Sequence, residues 1–392
     1  MKIGILTFHS QLNYGGVLQA YAMQMALHAM GHEAVIIDRW LTENNSHLLG
    51  PFSSNWKGWI GIIIRGVMGT GIFARLLRHL NTIRFIQHKL NLTPYHFYNW
   101  QEAPAELGVD VLLVGSDQVW NGEWGKPHPY LLANANLSIP AIAYAASFGM
   151  RMLPEALITT YREGFQRFKA ISVREAEGID LVTSQGATAT HVVDPTLFLE
   201  PSIWKTKVKQ IFTKKPTLVC YFLSEDIEAH RAQLEAFAKT HHCNVEVLLN
   251  DYQLPTPKTI SQIWNQIKYI AHSLTSPVKL RLTAGPQEFL EAFTSATWIL
   301  SDSFHAVMFS SIFDKNVRIL RPQSEFRQKM FARIEEFANT SIRTGSLIAE
   351  DVPLALESFV STPPLQFNQE IIAKRRAESK QWLEQALARC EE

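Results

Sequence analysis

Short apolar, β-branched runs alternate with helix-length amphipathic stretches along most of this 392-residue chain. That alternation admits few folds besides parallel sheets wound with crossover helices. The opening shows the pattern. Residues 2–8 read as a buried strand, 9–16 as a polar loop containing glycine, 17–30 as a helix with Val17, Leu18, Tyr21 and Met25 at helical spacing, and 34–38 as the next strand. Gly31 suits the position just past that helix. Residues 109–114, 141–145, 170–173 and 191–193 read as further strands of the same unit. A second set at 217–223, 245–249, 298–300 and 317–320, with helices clearest at 227–239 and 287–294, repeats the arrangement after a polar, lysine-rich stretch at 201–216.

Single cores stop growing at about 250 to 300 residues, so this length predicts two α/β domains: one over 1–200, one over 215–350. Asn368 can cap a helix over 369–389, within a terminal segment 366–392. Ile372, Trp382, Leu383 and Leu387 would pack it back across the first domain. No internal repeat or low-complexity tract interrupts this organisation.

Thirty-seven Lys and Arg against 36 Asp and Glu give no global attraction to nucleic acid, so any anion site must be local. Cys220, Cys243 and Cys390 are scattered without a C-x-x-C pair, which indicates neither a disulfide framework nor a Cys-rich zinc site. The apolar run after Lys2 ends at His9 and Ser10, too short for a secretory signal. The expectation is a cytoplasmic protein. One stretch is unusual: residues 44–101 hold no acid but carry Lys57, Arg65, Arg75, Arg78, Arg84 and Lys89 among Trp56, Trp59, Ile60 and other apolar residues. It reads as a basic, apolar helical insertion. Its solvent face is either ordinary or a peripheral contact with the inner face of the membrane, since Arg65 breaks any run long enough to span.

Four turns carry candidate chemistry. His9 to Gly16 joins a strand to a helix where free N–H groups can meet an anion, with Asn13 and Tyr14 as candidate contacts to a bound molecule. It is neither G-x-G-x-x-G nor a P-loop, and a tight turn made for packing explains its glycines equally well. Gly115 to Asn121 follows an apolar strand, so Asp117 could take a proton from a sugar hydroxyl, with Gln118 and Trp120 beside it; alternatively Asp117 only caps a turn. Arg174, just past a strand, offers a guanidinium fork for a carboxylate or phosphate, or else a salt bridge to Glu175 or Glu177. Ser301 to Phe309 is the most informative: Ser303 and His305 stand at the start of a helix with unsatisfied N–H groups, which makes an anion site with a titratable acid.

In order along the chain, FHSQLNYGGVLQAYA, VGSDQVWN, YAASFG at 144–149, SVREAEG at 172–178, VVDPTLF at 192–198 and SDSFHAVMFSSIF at 301–313 resemble the polysaccharide pyruvyl transferase family over about residues 1–345. The resemblance implies two Rossmann-like domains facing a cleft in a GT-B-like arrangement. It also implies transfer of the pyruvyl group of phosphoenolpyruvate to a sugar diol as a cyclic ketal during cell-surface or exopolysaccharide synthesis. Phosphoenolpyruvate is then a donor substrate; no cofactor and no metal are expected, and the acceptor sugar is one that a lipid could carry. By the same resemblance Arg174 and His305 belong to the phosphoenolpyruvate site, joined by Ser303 and Arg327. Asp117 and His305 are the catalytic candidates, and Asn13, Tyr14, Gln118 and Trp120 the acceptor contacts. Two departures stand out. Ala306 occupies a place that is usually glycine in the family, and Ser303 and Phe304 precede the histidine where some members have arginine, so a phosphate-binding cation would come from elsewhere, with Arg327 and Arg343 as candidates. A nucleotide-sugar glycosyltransferase and a non-catalytic glycan-binding relative are the competing readings on the same fold.

Overall fold

The computed structural model describes residues 1–10, 13–39, 70–123, 129–133, 135, 137–208, 215–224, 226–250, 253 and 259–391. Its first half runs β1 (Lys2–Leu6), α1 (Tyr14–Ala29), β2 (Glu33–Arg39), α2 (Thr70–Lys89), β3 (Leu92–Phe97), β4 (Val111–Val114), β5 (Ala141–Ala146), α3 (Ile158–Phe165), β6 (Phe168–Val173), α4 (Glu177–Thr183), β7 (Thr190–His191) and α5 (Pro201–Lys205). These strands form one parallel sheet of order β3-β2-β1-β4-β5-β6-β7.

The second half runs β8 (Thr217–Tyr221), α6 (Arg231–Thr240), β9 (Asn244–Leu248), α7 (Ile260–Thr275), β10 (Val278–Arg281), α8 (Pro286–Ser295), β11 (Trp298–Ser301), α9 (Phe304–Phe313), β12 (Asn316–Leu320), α10 (Glu325–Ser341), β13 (Ile342–Thr344), β14 (Ile348–Ala349), α11 (Val352–Ser361), β15 (Gln366–Phe367) and α12 (Gln369–Ala388). Six of its strands form a second sheet of order β10-β9-β8-β11-β12-β14, and β13 pairs antiparallel with β15. In both sheets the strand order reverses beside the first strand, and ligands of such sheets collect beyond the carboxyl ends at that point.

One continuous apolar core joins the halves. Tyr14 of α1 stacks on Phe289 of α8 at 5.2 Å, Phe289 meets Phe309 of α9 at 5.5 Å, and Trp204 of α5 lies 5.1 Å from Phe309. This is why α1 and α9 are buried on nearly all sides, where helical spacing alone predicted a single apolar face for the first of them: each is covered by its own sheet and by the opposing half. The terminal helix α12 does cross back, with Ser379 Oγ accepting from Val193 N at 3.0 Å and Trp382 lying 6.1 Å from Tyr144.

The stretch read as a helical insertion divides differently. Residues 40–69 lie outside the described residues. Leu92–Phe97 is an edge strand paired with β2, not part of a helical insertion. Arg78, one of the cations of that basic stretch, is buried in α2 and donates from Nη1 to the carbonyls of Leu249 at 3.0 Å and Asn250 at 3.1 Å. It belongs to the seam between the halves, where its charge satisfies the end of β9. Among the described residues no helix is long and apolar enough to cross a membrane.

Candidate functional site

Asp117, Arg174, Ser303 and His305 all stand just beyond the ends of strands. After β4 the chain turns at Gly115, whose φ is +107°. A Cβ there would sit 2.3 Å from the Tyr144 carbonyl, so only glycine fits. Asp117 follows with φ +69°. Its Oδ1 accepts from Gln118 N at 2.8 Å, the Asx-type turn that was the plain alternative at this position. Arg174 follows β6, and Asp194 caps the 3-10 turn Pro195–Phe198 by accepting from Thr196 N and Oγ1 at 3.0 and 2.8 Å.

From the other half, β11 ends at Ser301. Asp302 then accepts from the N–H groups of Leu223 at 2.5 Å and Ser224 at 2.7 Å, which pins the loop after β8. Ser303 takes the N-cap position of α9 without a side-chain capping bond, and His305 lies in the first turn. Burial pushes the Asp302 carboxyl above its ordinary range, against the pull of these donors and of Arg327.

The two halves meet in one cluster. Arg174 Nη1 donates to Asp194 Oδ2 at 3.0 Å, Arg174 Nη2 lies 3.5 Å from Asp117 Oδ1, and His305 Nε2 lies 3.8 Å from Asp194 Oδ2. Phe304 is held between two guanidinium groups, with Arg174 at 4.7 Å and Arg333 of α10 at 5.0 Å from its ring centre. Arg333 Nη1 lies 3.5 Å from Ser147 Oγ. The Gln118 amide faces its Nη1 and Nη2 at 2.7 Å, so the amide oxygen is the atom that accepts there. Glu175 turns away from Arg174 and accepts from Ser147 Oγ, Phe148 N and Gly149 N at 3.0, 2.7 and 3.1 Å.

Burial dominates the electrostatics. It holds the His305 imidazolium below the ordinary histidine range; Asp194 and Asp117 favour the charged form, while Arg174 and Arg333 oppose it. Burial, then Arg174, pushes Arg333 down to about 10, so it stays a cation at neutral pH. Burial alone would lower Arg174, but Asp117, Asp194 and Glu175 outweigh it and raise it. Within this low-dielectric cluster, Arg174 Nε and Nη2, Arg333 Nε and His305 Nε2 are buried and make no hydrogen bond. Nε and Nη2 are the side edge of the guanidinium, the pair that grips two oxygens of one anion.

The structure brings together His305, Asp117, Arg174 and Gln118 of the expected residues, with Ser303 next to them in the chain. Others stand differently. Trp120 is fully buried and donates its indole N–H to the Tyr130 carbonyl at 3.0 Å, leaving no ring face for a sugar. Tyr14 is buried in the seam and donates to the carbonyls of Leu249 and Ala284 at 2.8 and 3.0 Å. Asn13 caps α1 through Gly15 N at 3.0 Å. Arg327 donates to the Leu223 carbonyl at 3.1 Å and steadies the same loop as Asp302, and Arg343 is exposed. The second cation is Arg333 instead, on the same helix as Arg327. Asp194 and Arg333 had been given no role. Asp194 lay inside a quoted motif, whereas nothing local separates Arg333 from other helical arginines. Among the described residues no group of three His, Cys, Asp or Glu side chains is arranged to hold a metal ion.

Comparison with known proteins gives two results. The family model described as polysaccharide pyruvyl transferase matches residues 13–324, and no curated protein matches. Among solved structures, UDP-GlcNAc 2-epimerase from Neisseria meningitidis bound to UDP-GlcNAc aligns over 99% of this chain and 100% of its own, with TM-score 0.53 and 10% identity. UDP-N-acetylglucosamine 2-epimerase from Rickettsia bellii aligns over 100% and 96%, with TM-score 0.52 and 10% identity. The putative enzyme of that kind from Listeria monocytogenes aligns over 96% and 90%, with TM-score 0.50 and 10% identity. The likeness is one of fold: two Rossmann-like domains in the GT-B arrangement.

Proposed function

The chain belongs to the polysaccharide pyruvyl transferase family, and from that membership and the chemistry of the cleft we propose that it transfers the pyruvyl group of phosphoenolpyruvate to two hydroxyls of a sugar as a cyclic ketal. The observation that carries this reading is the set of buried donors without hydrogen bonds on Arg174, Arg333 and His305. Each such donor costs about 1–3 kcal/mol if left unpaired. Together they match a ligand with several charged oxygens, and phosphoenolpyruvate carries both a carboxylate and a phosphate.

Charge balance suggests how the acid is made. Asp117 and Asp194, with Glu175 acting at a distance, balance two guanidinium groups while His305 is neutral. A donor anion entering there favours protonation of His305, and the acid exists when its substrate does. His305 Nε2 then protonates the methylene carbon. A sugar hydroxyl attacks the adjacent carbon and gives its proton to Asp117, phosphate leaves with that proton, and the second hydroxyl closes the ring as its own proton returns to His305. Asp194, committed to Arg174 and Thr196, orients rather than reacts. Asp117, less enclosed, suits the base.

The test is incubation with phosphoenolpyruvate and candidate sugars, following phosphate release and the pyruvyl mass gain, with calorimetric titration of the donor. Arg174→Lys, which keeps the charge and loses the fork, should weaken donor binding about tenfold or more. His305→Gln should fold and lose turnover by about 100- to 10,000-fold. Release of a nucleoside diphosphate from a nucleotide sugar, with no binding of phosphoenolpyruvate, would overturn the reading.

A further inference from the structure

Arg39 ends β2 at the carboxyl edge of the first sheet. It is 4% exposed, yet its Nε and Nη1 make no hydrogen bond. The acid beside it is engaged by another group: Asp38 Oδ1 lies 2.8 Å from Nε2 of the buried His9. The guanidinium rests instead on Tyr130, 4.9 Å from the ring centre, and shares a side-chain hydrogen bond with that tyrosine, a neutral partner.

A cation–π contact worth about 0.5–2 kcal/mol and one hydrogen bond to a neutral hydroxyl do not offset the removal of a guanidinium from water, and buried charges are otherwise paired with an opposite charge or several carbonyls. Other buried arginines follow that rule. Arg174 meets Asp194, Arg78 meets two carbonyls, and Arg231 meets Glu228. Arg39 departs from it, at the sheet edge where ligands bind.

Its position relates it to the reacting cluster. β2 and β4 flank β1, so Arg39 and the turn that carries Asp117 stand about 10 Å apart along the edge. Tyr130, whose hydroxyl burial keeps protonated, lies within electrostatic reach of both Arg39 and Asp117. One glycosyl chain can span that distance.

We propose that Arg39 anchors an oxyanion of the acceptor, a carboxylate or a phosphate carried on the sugar or on its neighbour, and so selects anionic over neutral acceptors. This rests on the cleft being the donor and acceptor site described above. The anion supplies the missing partner of the guanidinium and is held away from Asp117, so the sugar hydroxyls are left for the reaction.

The experiment titrates the full chain with three probes that share one sugar: its 1-phosphate, its uronic acid and its neutral methyl glycoside, each with phosphoenolpyruvate present to occupy the Arg174 region. The wild-type protein should bind one charged probe about ten- to a hundredfold more tightly than the neutral one. Preference for the 1-phosphate identifies a phosphate source, and preference for the uronic acid identifies a carboxylate. Arg39→Gln should abolish the preference, leave phosphoenolpyruvate affinity unchanged, and melt no lower than wild type, because it removes a buried charge that has no ion pair and leaves an amide that can still hydrogen-bond Tyr130. Arg39→Lys should keep part of the preference. Equal binding of all three probes by the wild-type protein, a preference that survives in Arg39→Gln, or a marked loss of stability in that variant would overturn the assignment, the last because it makes Arg39 structural. Failure of phosphoenolpyruvate to bind, with the charged-sugar preference intact and dependent on Arg39, would overturn the donor reading and leave the oxyanion subsite standing.

Discussion

Gly15 lacks a side chain where His305 needs room: a Cβ at position 15 would stand 2.1 Å from His305 Nδ1. Gly15 is therefore explained by close approach across the seam. Gly15→Ala should fold, displace the imidazole and reduce turnover at least tenfold, and a crystal structure of the variant with His305 unmoved would refute this. Protonation gives a second outcome at this scale. Burial depresses His305 below its ordinary value of 6.5, and burial likewise depresses His191. The unfolded chain thus binds more protons than the native one just below pH 6.5, so stability rises with pH through that window and is lost on acidification. Denaturant titrations between pH 8 and 5 should show this acid loss, shallower in His305→Gln; parallel curves for the two proteins would exclude His305 as a contributor.

At the scale of elements, α10 is the piece that delivers a second-half cation to a first-half site. Glu336, one turn beyond Arg333, accepts from Ala176 N at 3.0 Å and lies 3.3 Å from His191 Nδ1. His191 Nε2 in turn sits 3.1 Å from the Arg174 carbonyl. Glu336 therefore docks on the segment that holds Arg174, and Arg333, on the same helix, docks on Ser147 and Gln118. Glu336→Ala should raise the KM for the donor several-fold with a smaller effect on kcat, while Glu336→Gln, which still accepts from Ala176 N, should recover part of it. Equal kinetics in the alanine variant would show that Arg333 needs no such tether. Such a relation was not legible from the chain alone. Arg333 and Glu336 share an ordinary amphipathic helix, and Trp120, which looked like a sugar platform beside Asp117, proved to be core because Phe148, Phe165 and Phe168 surround it.

For the whole molecule, the seam behaves as core. Tyr14, Arg78 and Asn81 of the first half all donate to backbone carbonyls of the second, at Leu249, Ala284, Asn250 and Thr283. These bonds lie beside the shared aromatic cluster. Calorimetric unfolding should therefore show one cooperative transition, and two separate transitions would contradict a common core. Arg78→Met should lower stability by about 1–3 kcal/mol for each carbonyl left unsatisfied. A variant as stable as wild type would show that the carbonyls at the end of β9 find water instead.

The order of strands and helices, the return of the terminal helix and the strand-end placement of Asp117, Arg174 and His305 follow from local signals: hydrophobic period, caps, glycine and the polarity of a turn. Those signals act over a few residues and are complete in the chain itself. Which side chains share a cluster was decided only by the packing of the two halves through the helices that lie between their sheets. The partner of Arg174 is Asp194, twenty residues away, rather than its neighbour Glu175. The second cation is Arg333, and Arg39 and Arg78 take opposite fates, one buried without an ion pair and the other joined to carbonyls. Charge pairing and burial depend on distances across the fold, and no spacing along the sequence encodes them.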